Sequence, residues 1–566
     1  MIAAFLAAAA ALLAQAVPAA PPVEYQLTPV TGPAGLERID VEMRLIGDAD
    51  GETVLNLPDR WAGISGLHEA IQELRVEGGT VAAGQGPASR RITHGPSAPL
   101  AVRYHFGLSA ADPGLDYEKA KPVLRPTWFY IHGEGMLAAP EGRGEAPARF
   151  RWGPTPAGWR LAGNLDGPAG EGITVDDAVQ SIFSGGTDLV VIERQVGGAP
   201  LRVAMRGQWE FDAEGMATAL ARMIGAENRF MASPAQPFFV SLIPQAGGET
   251  GGISTGGTGR TGGFALSSTT NVDLASLLRT LAHEYAHRWF GRSLGPTAEP
   301  EGVEYWFTEG FNDFVAAQSL VASGLWDEAD YVGTLNEVLR RYGQSSARSL
   351  PNAETAAAFW QDPAAQQMLY DRGHLFALLL AGEAGGTRPL REALARMARD
   401  AAAFPPQETE GGRFARVFTA LPPVRLAALR EQGIVRGEPI VLPANLFARC
   451  GTIGWTEQAV YAPGYTAEDR PDGRYFATVE EGSPAWAAGL RPGMRYVQRV
   501  SFRPGDSSVP IVMRVADERG ERVLTWLPRG RETVRYQRLE LRRFAGEADR
   551  AQCRAQVSAG MAQERR

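Results

Sequence analysis

The stretch His283-Glu284-Tyr285-Ala286-His287 decides how this chain is read. It lies within Asp273–Gly291, where Leu274, Leu277, Leu278 and Leu281 recur at helical spacing, with Asp273 placed as an N-cap and Gly291 as a stop. On a helix, positions i and i+4 share a face, so the two imidazoles reach one cation. Two neutral imidazoles suit zinc, and a glutamate beside them takes a proton from a zinc-bound water. Only 7 histidines occur in 566 residues, so two of them at this spacing around a glutamate carry weight.

A third ligand is expected from another segment. Trp306-Phe307-Thr308-Glu309-Gly310-Phe311 offers Glu309, which follows His287 after 21 intervening residues. Its neighbours Tyr305, Trp306, Phe311, Phe314 and Val315 form an apolar pattern. A carboxylate buried among them needs a partner or a metal. Asp313 falls on the same helix face and is placed to accept a hydrogen bond from a zinc-bound histidine, fixing its tautomer. Two histidines and one glutamate leave a fourth zinc position open for water, as in catalytic sites. The pattern points to metal-assisted hydrolysis, foremost of a peptide bond, with Glu284 as the proton shuttle.

These residues carry a family resemblance. His283–Gly291 together with Trp306–Phe311 resembles the gluzincin metallopeptidases: HEYAHRWFG is similar to the active-site helix of the aminopeptidase N family, and WFTEGF to its third-ligand helix. The glycyl aminopeptidase family shares that core and adds a C-terminal PDZ domain; Val479–Met494 resembles the GSPAxxAGLxxGD segment of bacterial PDZ domains. The resemblance implies a multidomain α+β protein: a β-rich N-terminal domain, a thermolysin-like zinc catalytic domain, a helical domain and a PDZ-like β domain. It also implies a catalytic tyrosine before a basic-Gly pair, matched by Tyr370 in Leu369-Tyr370-Asp371-Arg372-Gly373. A protonated phenol there donates to the oxyanion of a tetrahedral intermediate. His374 is read as structural.

One departure stands out. Aminopeptidases of these families carry a Gly-x-x-Glu strand whose glutamate binds the substrate's free amine. The stretch matched to it is Gly262-Gly263-Phe264-Ala265, the substrate-binding candidates, and Ala265 stands where the glutamate is expected. Upstream Glu249 is the one substitute nearby, in a Gly-rich run. That run, Gly247 to Gly263, lacks the spacing of a phosphate loop and reads as a mobile loop at the cleft rim. Gly263–Ser268 reads as an edge strand that pairs with extended substrate backbone.

Met1–Ala20 is apolar, with a small-x-small site at Ala14-Gln15-Ala16, and reads as a signal peptide. The mature chain is therefore expected to be exported, periplasmic or secreted, without stable membrane insertion. Cys450 and Cys553 flank the PDZ-like segment, and both a disulfide and two buried thiols stay open. A net charge of −8 with dispersed charges gives no basic stripe for nucleic acid. The expected domains are residues 24–195 (β-rich), 200–345 (catalytic), 346–440 (helical) and 450–545 (PDZ-like), with a polar, helical tail at 546–566. Expected partners are peptide or protein substrates, and a peptide ligand for the PDZ-like domain. Two other functions stay open: a catalytically inactive PDZ-containing binding protein, and a non-peptide zinc hydrolase on the same scaffold.

Overall fold

The structure, a computed structural model, describes residues 21–561 apart from 62–63, 109–122, 246–252, 261, 297–299, 301 and 504. The signal-peptide stretch and Glu249 lie outside the described residues. The chain divides into two compact units that part between Thr187 and Asp188.

The first unit is β-rich. Its largest sheet has six strands in the order Ile173–Thr174, Pro147–Trp152, Val23–Gly32, Gly35–Ile46, Pro99–Gly107 and Gln72–Glu77. Two four-stranded sheets and a two-stranded one, Arg60–Trp61 with Ile64–Ser65, complete its described sheets. Val23–Gly32 shows why these segments are strands: Val23, Tyr25 and Leu27 alternate inward, with polar residues between them. The buried Tyr25 hydroxyl donates to the Ala138 carbonyl at 2.9 Å, so its burial leaves no orphan group.

The second unit holds a five-stranded sheet in the order Val190–Val196, Ala199–Met205, Phe238–Gln245, Gly263–Thr269, Thr255–Arg260. The three central strands run parallel and both outer pairings are antiparallel. Two sequence expectations are corrected here. Val190–Val196 belongs to this sheet, so the first unit ends at Thr187 and the second begins before residue 200. Gly263–Thr269 is an interior strand, and the edge is formed by Thr255–Arg260, inside the Gly-rich run read as a loop. Glycine weakens a strand on its own, so only pairing with Gly263–Ser268 makes this one.

The histidine helix, Leu274–Ala286, packs on this sheet. Asp273 caps it, accepting from the Ser276 amide at 2.8 Å, while Leu277, Leu278, Leu281 and Tyr285 enter the core. After His287 the chain turns through Gly291, whose φ of +73° suits glycine. The glutamate helix, Gly310–Ala322, is buried throughout its length. It meets the tyrosine helix, Pro363–Glu383, at Gly310 and Gly373, where a Cβ on either would collide with the opposing backbone. This close approach brings Tyr370 to Glu309.

Helices continue through Glu328–Gln344 and on to Pro423–Arg430. The segment assigned to the PDZ-like domain forms a five-stranded antiparallel sheet, from Tyr465–Arg470 to Gly520–Trp526, around Phe476, Leu490, Met513 and Val515. A ribbon of Gly451–Tyr461 and Arg529–Leu541 precedes and follows it. Asn336 ties that ribbon to the helical region by a reciprocal pair of hydrogen bonds with Leu539, at 2.9 and 2.8 Å. The tail forms a helix, Glu547–Val557, that is not separate: Cys553 and Val557 enter the same core as the histidine, glutamate and tyrosine helices. No helix among the described residues is long and apolar enough to cross a membrane.

Cys450 and Cys553 form a disulfide, which settles the open choice between a bond and free thiols. It spans 103 residues, and a loop of that size constrains the unfolded chain by up to about 4.7 kcal/mol. A Cys450→Ala/Cys553→Ala variant should melt well below the oxidised chain, and reductant should lower the wild-type midpoint toward the same temperature. Equal midpoints with and without reductant would contradict this.

Candidate metal centre

Three ligand atoms converge from two helices. His283 Nε2 lies 3.2 Å from His287 Nε2 and 3.2 Å from Glu309 Oε2, which lies 3.4 Å from His287 Nε2. The edge of a tetrahedron around zinc, with bonds near 2.0–2.1 Å, is roughly 3.3 Å. Tautomers make the same case. His283 Nδ1 lies 2.9 Å from Asp313 Oδ1, and His287 Nδ1 lies 3.3 Å from the Phe290 carbonyl. Both partners only accept, so both Nδ1 atoms carry protons and, in the neutral rings, both Nε2 atoms present lone pairs. Two lone pairs and a carboxylate facing one another at this distance require a cation. The donor set and its spacing therefore fit zinc.

The electrostatics agree. Burial opposes a charge on His283, but its hydrogen bonds to Asp313 and Glu309 outweigh that and raise its pKa well above the ordinary imidazole value. Burial likewise opposes ionisation of Glu309, yet positive charge on His287 and His283, whose Nε2 atoms donate to it when the rings are protonated, holds its pKa at about 2. Asp313 is ionised for a similar reason: against burial, Arg279 and His283 keep it well below the carboxylate range, with Arg279 Nη2 at 3.4 Å. The donor ring draws positive charge to its centre.

Tyr370 stands beside the ring. Its aromatic plane lies 5.9 Å from that of His283 and near parallel to it. Burial, the negative charges of Glu309 and Asp313 and a hydrogen bond to Glu309 raise its pKa, so the phenol keeps its proton. His374, on the same helix, is fully buried, and burial pushes its pKa down to about 4, so it is neutral.

Glu284 lines a cleft together with the ring residue His287 and with Phe238, Gly259, Arg260, Gly262, Gly263, Arg288 and Arg292. Of the four substrate-binding candidates, Gly262 and Gly263 line this cleft, whereas Phe264 and Ala265 are buried within the sheet. On the edge strand, a Cβ at Gly259 would sit 4.0 Å from Glu284 Oε2. On that strand the Gly-x-x-Glu spacing reads Gly256-Gly257-Thr258-Gly259, so the glutamate is absent in this register too. Ala265, matched to that glutamate in the sequence, lies buried on the interior strand, and the glycine-rich run forms the edge.

Three residues escaped the sequence reading. Arg292 reaches the cleft from beyond Gly291. Glu410 accepts from the Gly291 amide at 2.7 Å and braces the turn after His287. Glu227 is buried near His283, and burial pushes its pKa well up, so its carboxyl is neutral. None has a periodic or motif signal that would single it out.

Residues 276–376, from the histidine helix to the tyrosine helix, match the family model of the M61 glycyl aminopeptidases. The crystal structure of an aminopeptidase N family protein from Idiomarina loihiensis is similar over 96% of this chain and 100% of that one, with a TM-score of 0.68 at 16% identity. An M1 zinc metallopeptidase from Deinococcus radiodurans gives a TM-score of 0.46 at 18% identity, covering 75% of this chain and 96% of that one. No curated protein sequence matches the chain. The likeness to gluzincin aminopeptidases seen in the sequence therefore holds, in the zinc-helix segment and in the fold.

Zinc must displace the proton that His283 attracts. Its affinity should therefore fall as pH drops below the raised His283 pKa, by about tenfold per unit. Asp313→Asn should weaken binding roughly 10- to 100-fold through loss of the ring's anchor. His287→Ala and Glu309→Ala should release the metal. Competition with a chelator at several pH values measures all of this; full occupancy in either alanine variant would remove that residue from the ligand set.

Proposed function

We propose that this chain is a zinc-dependent peptidase in which Glu284 is the general base and Tyr370 the oxyanion donor. The observation that carries the reading is the triangle of donor atoms at 3.2–3.4 Å, with Glu284 at its cleft side and Tyr370 beside His283. When bound, zinc supplies a Lewis acid that acidifies water and polarises a carbonyl. Glu284, next to His283 on the helix, receives the proton of the attacking water and passes it to the leaving amine. Tyr370 donates to the carbonyl oxygen as negative charge builds on it. Asp313 holds the His283 ring in place through Nδ1. The outer edge of Thr255–Arg260 offers backbone N–H and C=O groups to an extended peptide, and its glycines allow close approach.

Among the described residues lining the cleft, Glu284 is the one carboxylate, so an N-terminal ammonium finds no dedicated partner there. This favours internal or blocked peptide bonds alongside terminal ones. The same reading treats the unit from Asp188 to the ends of the zinc helices as thermolysin-like, and the C-terminal five-stranded sheet as a PDZ-like domain for a peptide partner. It places the protein outside the cytoplasm, on the strength of the apolar first 20 residues.

Mass-spectrometric profiling of a library of free and N-acetylated peptides, beside a Glu284→Gln control, tests the proposal. Cleavage should occur and should vanish in Glu284→Gln with zinc retained. Tyr370→Phe should lower kcat by about 10- to 1000-fold, by analogy with loss of one oxyanion donor. Absence of Glu284-dependent cleavage would instead support a binding protein or a hydrolase of non-peptide substrates.

A further inference from the structure

The cleft beside Glu284 carries more positive charge than proton transfer at a peptide bond requires. Arg260, Arg288 and Arg292 line it, against Glu284 as the one carboxylate among its described lining residues. Arg288 is committed elsewhere: it donates to the Tyr285 hydroxyl at 3.0 Å and to the Pro234 carbonyl at 3.2 Å. The Arg260 side chain is buried, with Nη1 turned back to the Gly259 carbonyl. Arg292 differs. Among the described residues its one hydrogen bond runs from Nη1 to the Arg260 carbonyl at 3.2 Å, and it makes no salt bridge. Among the described residues the rest of its planar fork of N–H donors has no hydrogen-bond partner.

Gly259 explains what faces that fork. A Cβ on Gly259 would sit 3.4 Å from Arg292 Nη2 and 4.0 Å from Glu284 Oε2, so both groups flank a position with no side chain. The backbone of Gly259 is not in the left-handed region. Any residue fits it, and the missing side chain leaves space between an arginine and the catalytic base. We infer that this space receives a carboxylate of the substrate, anchored by Arg292. A guanidinium fork pairs with a carboxylate through two parallel N–H···O bonds, whereas an ammonium on the Arg292 side would face another cation; the substrate carboxylate sits on that side of the space, because Glu284 Oε2 flanks the other. The inference rests on the peptidase reading, and it narrows the substrate class to peptides with an anionic group close to the scissile bond. That group is either an acidic side chain or the C-terminal carboxylate.

Matched peptide pairs separate the two sources. One arm compares Glu with Gln at each position around the cleaved bond; the other compares a C-terminal acid with its amide. With the zinc-loaded enzyme, the acid form in one arm should show a kcat/KM about 10- to 100-fold above its neutral partner, the scale expected when a partly buried donor loses its acceptor. Arg292→Ala should collapse that ratio toward one. Gly259→Glu should do the same, by placing a carboxylate of the protein beside Arg292. Ratios near one in both arms of the wild type would overturn the inference. So would an Arg292→Ala enzyme that slows on every peptide alike while keeping its ratio, since that result assigns Arg292 to positioning Glu284. The same pairs are also bound to zinc-loaded Glu284→Gln and read by fluorescence polarisation. If no peptide is hydrolysed, the peptidase reading fails by itself. Tighter binding of acid forms, lost in Glu284→Gln/Arg292→Ala, then still supports the anion site, and equal binding overturns it.

Discussion

Three lone-pair donors held 3.2–3.4 Å apart are the constraint on which the rest of this unit depends. Left to themselves they repel, and removed from water they repel more strongly, because the interior screens charge poorly. The arrangement persists only because each donor is fixed from behind. Asp313 holds one imidazole and the Phe290 carbonyl holds the other. Glu309 leads into a helix that is buried on every side. The turn that supplies Phe290 is itself pinned, through Gly291, by the carboxyl of Glu410.

Behind this ring lies a layer of buried charge whose balance is local. Asp313 is shared between His283 and Arg279, and Asp371 accepts from Arg341 Nε and Nη2 at 3.0 and 2.6 Å. A bidentate pair of this kind has defined geometry as well as energy, and it sits one residue after Tyr370. The tyrosine is therefore positioned from two directions: by Asp371 next to it, and by the Gly373–Gly310 contact one turn on. A side chain at either glycine would push the two helices apart and move the phenol from Glu309. Other titratable groups in the layer are neutral because burial makes charge costly, as at Glu227 and His374.

The cleft face follows a different logic. Here the sheet ends in a strand built largely of glycine and threonine, and its lack of side chains leaves open space beside the guanidinium of Arg292. The chemistry of the metal ring and the selectivity of the cleft are thus carried by separate parts. The ring depends on helices with strong internal periodicity. The cleft depends on where a weakly patterned strand is placed.

This division also marks how far the sequence alone could be read. The histidine helix, its Asp273 cap, the pairing of His283 with His287 and the place of Asp313 one turn after Glu309 were legible because helical spacing is a local property and carries residues at i and i+4 to one face; Glu309 stood out as a carboxylate in an apolar run, and Tyr370 only through the family resemblance. The edge position of Thr255–Arg260, the role of Gly259 in place of Ala265 and the approach of Arg292 were decided only by tertiary structure. Strand order arises from pairing between distant segments, and glycine has no side chain from which a pattern could be read. The Cys450–Cys553 bond belongs with these: two cysteines 103 residues apart allow a disulfide, but only the packing of the C-terminal helix against the core brings the sulfurs together.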